Sequence, residues 1–222
     1  ILMNTSQVLV LFNLQSLLNI FLLRDDKEIK KYCSWGGKME KAVYIVLSDT
    51  GTWFSRLIGM YTGKSKNHAS IAFDEELNEV YSFGRKQRYN PINGGFVQED
   101  ARGGLLYHAN CSILKYKVSL DEYDRMRDKV LTFKAEQKKY KYNLLGLFGI
   151  ALQLNIQREN AFFCSQFVAT ILNESTIDIA KPSSVQPHQF AEYPDIELIY
   201  EGKLMHFLVE ESIILIGKEF VL

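Results

Sequence analysis

The segment FFCSQFVATIL, residues 162–172, is the most informative part of this sequence. Its pattern predicts that an apolar strand or loop gives way to a helix at Cys164. A thiol at a helix N-terminus lies at the positive end of the helix dipole, which favours the thiolate. The aromatic neighbours of Cys164 also suit a cysteine that merely packs in the core. Its place at a helix start, followed by two polar residues, favours a nucleophile.

A second segment, NHASIAF at 67–73, predicts a strand that begins near His68. Along this strand His68, Ser70 and Ala72 share one face, and the bulkier apolar side chains share the other. The smaller side chains beside His68 predict that another element packs closely there, and the helix that carries Cys164 is the natural candidate. An imidazole held on a rigid strand can take or hold the proton of a thiol. Together the two segments predict a cysteine-nucleophile site.

Composition excludes some classes of protein. The chain has 222 residues, 47% of them hydrophobic, which suits one globular domain with a real core. Lys+Arg and Asp+Glu both total 26, so the charge balance predicts no nucleic-acid partner. The three cysteines form no CxxC pair, and their odd number fits a reducing compartment or a free thiol. Cys111 is most simply a buried strand residue, and with His108 it offers too few ligands for zinc.

Residues 1–38 need a separate interpretation. Their apolar run at 8–23 is interrupted by polar residues and is too short for a confident membrane span. It also lacks the basic start and the cleavage site of a secretion signal. A clean strand pattern begins just after Met39, so a second translation start there is plausible. We expect 1–38 to be an accessory or spurious extension and 39–222 to be one domain. The expected location is the cytoplasm, with membrane contact only through 8–23 if the extension is genuine.

Hydrophobic periodicity predicts alternating strands and helices in the rest of the chain. The predicted hairpin of NHASIAF with VYSF is followed by a long glycine-containing loop, which suits a surface excursion or a cleft wall equally well. The predicted elements are strands at 41–47, 67–73, 80–83, 111–118, 196–202 and 203–209, helices at 53–63, 120–141, 142–154 and from 164, a loop at 84–104 and a helical turn at 187–193.

From Met39 to about Phe190 the sequence resembles the circularly permuted, NlpC-type papain-like hydrolases, close to the YiiX-like group. His68 precedes Cys164, which is the reverse of the order in ordinary papain-like enzymes. The matching motifs occur in the expected order, and they are more specific for the fold than for the substrate. They are SRLI at 55–58, NHASI from 67, VYSFG at 80–84, FCSQFV at 163–168 and VQP at 185–187.

The resemblance implies an α+β, permuted papain-like fold in which an antiparallel sheet packs against helices and the nucleophile lies at a helix N-terminus. By this resemblance Cys164 is the nucleophile and His68 the general base. The residue that orients the imidazole matches Ser82, where the family usually has a carboxylate. A serine stabilises an imidazolium less well than a carboxylate does. Glu79 is a possible substitute, but regular pairing turns it to the opposite strand face. The resemblance implies no metal or organic cofactor.

Three functions follow from these residues. The leading one is a cysteine hydrolase that cleaves an amide bond, in a peptide or a cell-wall-derived fragment, through a thioester acyl-enzyme. The second is a lipid acyltransferase or thioesterase resembling lecithin:retinol acyltransferase, in which the apolar segments 142–154 and 8–23 bind an acyl lipid. The third is a non-catalytic binding module on the same fold, for which Ser82 is the main support.

Overall fold

The chain is described by a computed structural model over residues 40–49, 65–87, 90–143 and 160–209. The predicted extension 1–38, the predicted helix at 53–63 and most of the apolar segment 142–154 lie outside the described residues. Among the residues that are described, no helix has both the length and the apolar character needed to cross a membrane.

The described part of the chain is an α+β structure built on one large antiparallel sheet. Its strands are β1 (Glu40–Asp49), β2 (His68–Ala72), β3 (Val80–Gln87), β4 (Asn90–Glu99), β5 (Asn110–Ser119), β6 (Lys141–Tyr142), β7 (Ala161–Phe162) and β8 (Ile196–Lys203). Its helices are α1 (Gly104–Tyr107), α2 (Leu120–Ala135) and α3 (Cys164–Leu172), with short 3-10 helices at Pro182–Ser184 and Pro187–Glu192.

The six strands of the large sheet follow the order β4-β3-β2-β1-β5-β8, and each neighbouring pair is antiparallel. β1 lies inside the sheet, between β2 and β5, and its residues 43–48 are all buried. Burial on both faces explains why this strand is a continuous apolar run rather than a strict alternation. In the register, Ser48 pairs with His68 on β2 and with Cys111 on β5.

Each face of the sheet carries its own hydrophobic core. The helix-side core joins one face to α2 and α3, and it includes Ala69, Ile71 and Phe83 from the sheet. The second core lies on the opposite face and includes Val46 and Ala72. The α+β layering follows from this arrangement, because a sheet that is apolar on both faces needs a cover on each.

A cluster of aromatic rings fixes the helices to the helix-side core. The ring centroids of Phe83 on β3 and Phe167 on α3 are 5.2 Å apart, and Phe133 on α2 lies 5.7 Å from Phe83 and 5.2 Å from Phe167. Such ring pairs add about 0.5–1.5 kcal/mol each beyond the area that they bury. Three elements distant in sequence are therefore packed against one another at a single point.

The start of α2 is tied to the chain that follows α3. Ser119 and Glu122 form a capping box, in which the Ser119 hydroxyl accepts from the Glu122 amide and the Glu122 carboxylate accepts from the Ser119 amide. The second carboxylate oxygen of Glu122 accepts the Thr176 amide at 3.0 Å. The Glu122 side chain thus both caps α2 and holds the chain segment that follows α3.

Most predicted elements in the described range are confirmed, including the β2–β3 hairpin and the helix that begins at Cys164. The loop predicted at 84–104 is wrong, because β3 continues to Gln87 and β4 runs from Asn90 to Glu99. β4 is an edge strand that contains Pro91 and two glycines, so its composition has little strand propensity. Main-chain pairing with β3 forms it nevertheless.

Two further boundaries differ from the sequence prediction. The helix predicted at 120–141 ends at Ala135, since the polar residues that follow give it no apolar face to bury. Residues 204–209 are helical, although a closing strand was predicted there. Leu204, Phe207 and Leu208 are all buried, and their spacing of three and four residues suits one face of a helix.

Gly94 on β4 permits a close approach that β6 requires. A Cβ built on Gly94 would lie 2.6 Å from the Cβ of Tyr142 and 2.7 Å from the carbonyl oxygen of Gly84. β6 pairs with β7, which directly precedes α3, so the contact at Gly94 helps to fix the chain that leads to Cys164.

We expect Gly94→Ala to destabilise the fold by about 1–3 kcal/mol, because the added methyl group overlaps backbone as well as side-chain atoms. The measurement is urea unfolding followed by circular dichroism. Gly84→Ala is the matched control on the neighbouring strand, since its Cβ would meet His68 Cε1 at an ordinary 3.6 Å. Equal stability of the Gly94→Ala variant and the unmodified protein would contradict the close packing of β6 on β4.

Candidate active site

Cys164 is the first residue of α3, as the sequence predicts. Phe163 is the N-cap residue in an extended conformation, and its side chain makes no capping hydrogen bond. The next residue, Ser165, donates its hydroxyl to the Val185 carbonyl at 2.6 Å and is buried. Phe167 fills the aromatic cluster one turn later. These contacts fix the first turn of α3, so the position of the thiol is fixed with it.

The thiol lies against the beginning of β2. Its Sγ atom lies 3.9 Å from the carbonyl oxygen of Asn67, and the main-chain amides of Ala69 and Ser165 favour its thiolate form. Cys164 exposes only 2% of its surface. The sulfur is therefore surrounded by main-chain polar groups at the junction of a helix start and a strand start.

The expectation that α3 covers the His68 face of β2 is wrong. The apolar residues of α3 pack with Ala69 and Ile71, whereas alternation puts His68 on the face of Ala72, which belongs to the second core. The thiol meets the imidazole around the end of β2 rather than across one of its faces. This is possible because His68 is the first residue of the strand and Cys164 the first residue of the helix.

The imidazole of His68 and the thiol of Cys164 lie close enough for each to shift the pKa of the other. Burial lowers the pKa of His68, but the Glu99 carboxylate and Cys164 outweigh that effect and hold the pKa well above its ordinary 6.5. Burial raises the pKa of the Cys164 thiol, but the neighbouring imidazole of His68 outweighs it and holds the pKa below its usual range. Both shifts favour the pair of a thiolate and an imidazolium.

Glu99 supplies a carboxylate beside His68 that the sequence pattern does not predict. Its Oε1 lies 2.7 Å from Nε2 of His68, and the side chains of His68 and Glu99 are only 21% and 15% exposed. Because Nε2 contacts Glu99, the other ring nitrogen is the one available to the thiol. Glu99 is the last residue of β4, inside the range that the sequence predicts to be a loop. Prediction of a β3–β4 hairpin would have placed Glu99 near Ser82.

Ser82 does not have the role that the resemblance implies. Its hydroxyl donates to Oε1 of Glu99, so it contacts the group that orients His68 instead of orienting the imidazole itself. Ser70, on the same strand as His68, donates to the same oxygen at 3.2 Å. Burial raises the pKa of Glu99, but His68 and the hydroxyls of Ser82 and Ser70 outweigh it and hold the pKa below its ordinary value. The carboxylate is thereby kept ionised.

Glu79 and Tyr44 both lie away from His68. Glu79 pairs with Arg127 on α2 at 2.8 Å, in agreement with its predicted orientation away from His68. Tyr44 pairs with Ala72, at the opposite end of β2 from His68, and packs in the second core. Within the described ranges, no group of three or more His, Cys, Asp or Glu side chains is placed to hold a metal ion.

Cys111 provides an internal comparison for Cys164. It is 0% exposed on β5, as the sequence predicts, and burial raises the pKa of its thiol to about 12. Lys66 opposes this rise without cancelling it. The two buried cysteines therefore have pKa values shifted in opposite directions, because only Cys164 meets an imidazole and main-chain amides.

We expect iodoacetamide to alkylate Cys164 at pH values below the ordinary thiol pKa of about 8.5, and to leave Cys111 unmodified there. A small reagent is required because Cys164 is almost fully buried. Peptide mapping by mass spectrometry after reaction between pH 5 and 10 separates the two sites. His68→Gln is expected to shift the Cys164 profile to higher pH. Alkylation of both cysteines with the same pH dependence would contradict the proposed ion pair.

In comparisons with known proteins, no family model matches this chain, and no curated protein matches it. The assignment of a function to this site therefore depends on the geometry of the site.

Proposed function

We propose that this protein is a cysteine hydrolase that cleaves an amide bond, with Cys164 as nucleophile, His68 as general base and acid, and Glu99 as the residue that orients His68. The observation that carries the proposal is that His68, held by the Glu99 carboxylate at 2.7 Å, interacts electrostatically with the Cys164 thiol. A nucleophile, its base and an orienting group within hydrogen-bond reach define this type of site.

Electrostatics supports the same assignment. The shifted pKa values of His68 and Cys164 favour a thiolate before substrate arrives, and the thiolate is the reactive form of cysteine. Ion pairs that only stabilise a fold also perturb pKa values. Such a pair does not need a thiol at a helix N-terminus, which is the partner of His68 here. Cys111, the other cysteine in the described part of the chain, has no imidazole that lowers its pKa.

The proposed reaction has two steps. The Cys164 thiolate attacks the carbonyl carbon of the substrate, and the imidazolium of His68 gives its proton to the leaving nitrogen as the C–N bond breaks. Water then attacks the thioester, His68 accepts its proton, and the acid leaves as the C–S bond breaks. Main-chain amides at the start of α3, including that of Cys164, are suited to stabilise the oxyanion formed in each step.

The arrangement of elements fits a circularly permuted papain-like fold. The histidine strand precedes the cysteine helix in the chain, and the nucleophile begins a helix that packs on an antiparallel sheet. The carboxylate expected by family resemblance at Ser82 comes instead from Glu99 on the neighbouring strand β4, two residues beyond Val97, the partner of Ser82. This change of position leaves the chemistry of the third residue intact.

The site favours the hydrolase over the binding module. The binding-module hypothesis depended on the lack of a carboxylate beside His68, and Glu99 removes that support. The acyltransferase hypothesis depended on apolar segments that lie outside the described residues, apart from the first two residues of 142–154. The substrate class that we propose is a peptide or a cell-wall-derived fragment, with the acyl lipid as the alternative to be tested.

We expect Cys164→Ala to abolish turnover and Glu99→Gln to lower it on the order of 100-fold, because the amide cannot stabilise the imidazolium. Glu79→Gln is the matched control, since Glu79 pairs with Arg127 away from the site. Hydrolysis of a panel of peptide amides and cell-wall peptide fragments, followed by mass spectrometry, measures the rates.

The same reactions distinguish the alternatives when Cys164 is examined for covalent adducts. A peptide acyl group on Cys164 supports the hydrolase, and a long-chain fatty acyl group from a phospholipid donor supports the acyltransferase instead. Turnover that persists in Cys164→Ala, or that falls equally in Glu99→Gln and Glu79→Gln, would contradict the proposed roles.

A further inference from the structure

Three hydrogen-bond donors converge on one oxygen of the Glu99 carboxylate. His68 Nε2 lies 2.7 Å from Oε1, the Ser70 hydroxyl lies 3.2 Å from it, and the Ser82 hydroxyl also donates to it. Glu99 is on β4, whereas the other three residues are on β2 and β3. Because β3 separates β4 from β2, the Glu99 side chain has to cross a strand to reach His68.

The two serines lie where that crossing occurs. Ile71 pairs with Tyr81 in the β2–β3 ladder, so Ser70 and Ser82 are the next positions in the same register. Both serines are 0% exposed. A buried hydroxyl has one proton to donate, and each of these directs it to Oε1 of Glu99. The pair is therefore committed to one acceptor.

We propose that Ser70 and Ser82 are positioning residues that hold the Glu99 carboxylate, as an anion, against Nε2 of His68. This inference rests on the proposed function of the Cys164 site and assigns the serines a part in it. A hydroxyl that donates to a carboxylate stabilises the charged form over the neutral acid. It also restricts a flexible side chain that otherwise has several rotamers open to it.

Few charged groups compete with this arrangement. Within the described part of the chain, His68 from β2 acts on the Glu99 carboxylate, and Cys164 from α3 acts on His68 in turn. The contacts from β3 and from the rest of β2 are the neutral hydroxyls of Ser82 and Ser70. Loss of a hydroxyl therefore changes the support of the carboxylate without changing the charge of the site.

The decisive experiment is a carbon-13 NMR titration of the Glu99 carboxyl in the full chain, assigned with Glu99→Gln. We expect Ser82→Ala and Ser70→Ala each to raise the pKa of Glu99 by about half to one pH unit, and Ser82→Thr to restore it because the hydroxyl is kept. The acid limb of Cys164 alkylation by iodoacetamide should move to higher pH in the same two alanine variants.

Ser112→Ala is the matched control, because Ser112 is a buried serine of the same sheet whose hydroxyl contacts Lys66 rather than Glu99. Its Glu99 titration should equal that of the unmodified protein. An unchanged pKa of Glu99 in both Ser70→Ala and Ser82→Ala, or an equal shift in Ser112→Ala, would overturn the inference. The titration needs neither substrate nor a reactive thiol, so an inactive Cys164 would refute the proposed function and leave this result to stand or fall separately.

Discussion

The packing of α3 on the sheet decides whether the thiol and the imidazole meet. Cys164 and His68 belong to different elements, and each is the first residue of its element. The contact of Phe167 with Phe83 and the bond from Ser165 to Val185 fix the first turn of α3, while the β1 ladder fixes the start of β2. A small rotation of the helix would separate the sulfur from the ring, because the two meet around a strand end and not over a broad face.

The polar groups of the site depend on that framework and act in series. Glu99 contacts His68, His68 interacts electrostatically with Cys164, and the main-chain amides of Ala69 and Ser165 favour the thiolate. Burial alone would neutralise all three ionisable side chains, since each loses hydration. Mutual contacts reverse that effect, so the pKa of the histidine rises and those of the glutamate and the cysteine fall. Each of the three charges is thus maintained by its neighbour.

Sequence reasoning succeeded where local pattern and buried surface agree. The strand of His68 and the helix of Cys164 were both predicted, because alternation and helix-start chemistry act within a few residues. It failed at β4, where proline and glycine conceal an edge strand that exists through pairing with β3. The error had a consequence for the site, since Glu99 ends that strand and Ser82 was given its role.

Local sequence pattern is enough to place Cys164, the proposed nucleophile, at a helix start and His68, the proposed base, at a strand start, because both are features of a few neighbouring residues. Only the tertiary structure decided which residue orients the base and which face of β2 the helix covers. Glu99 and His68 are 31 residues apart and on strands that are not neighbours. Their contact depends on strand register and on the two serines between them, and neither can be derived from local periodicity.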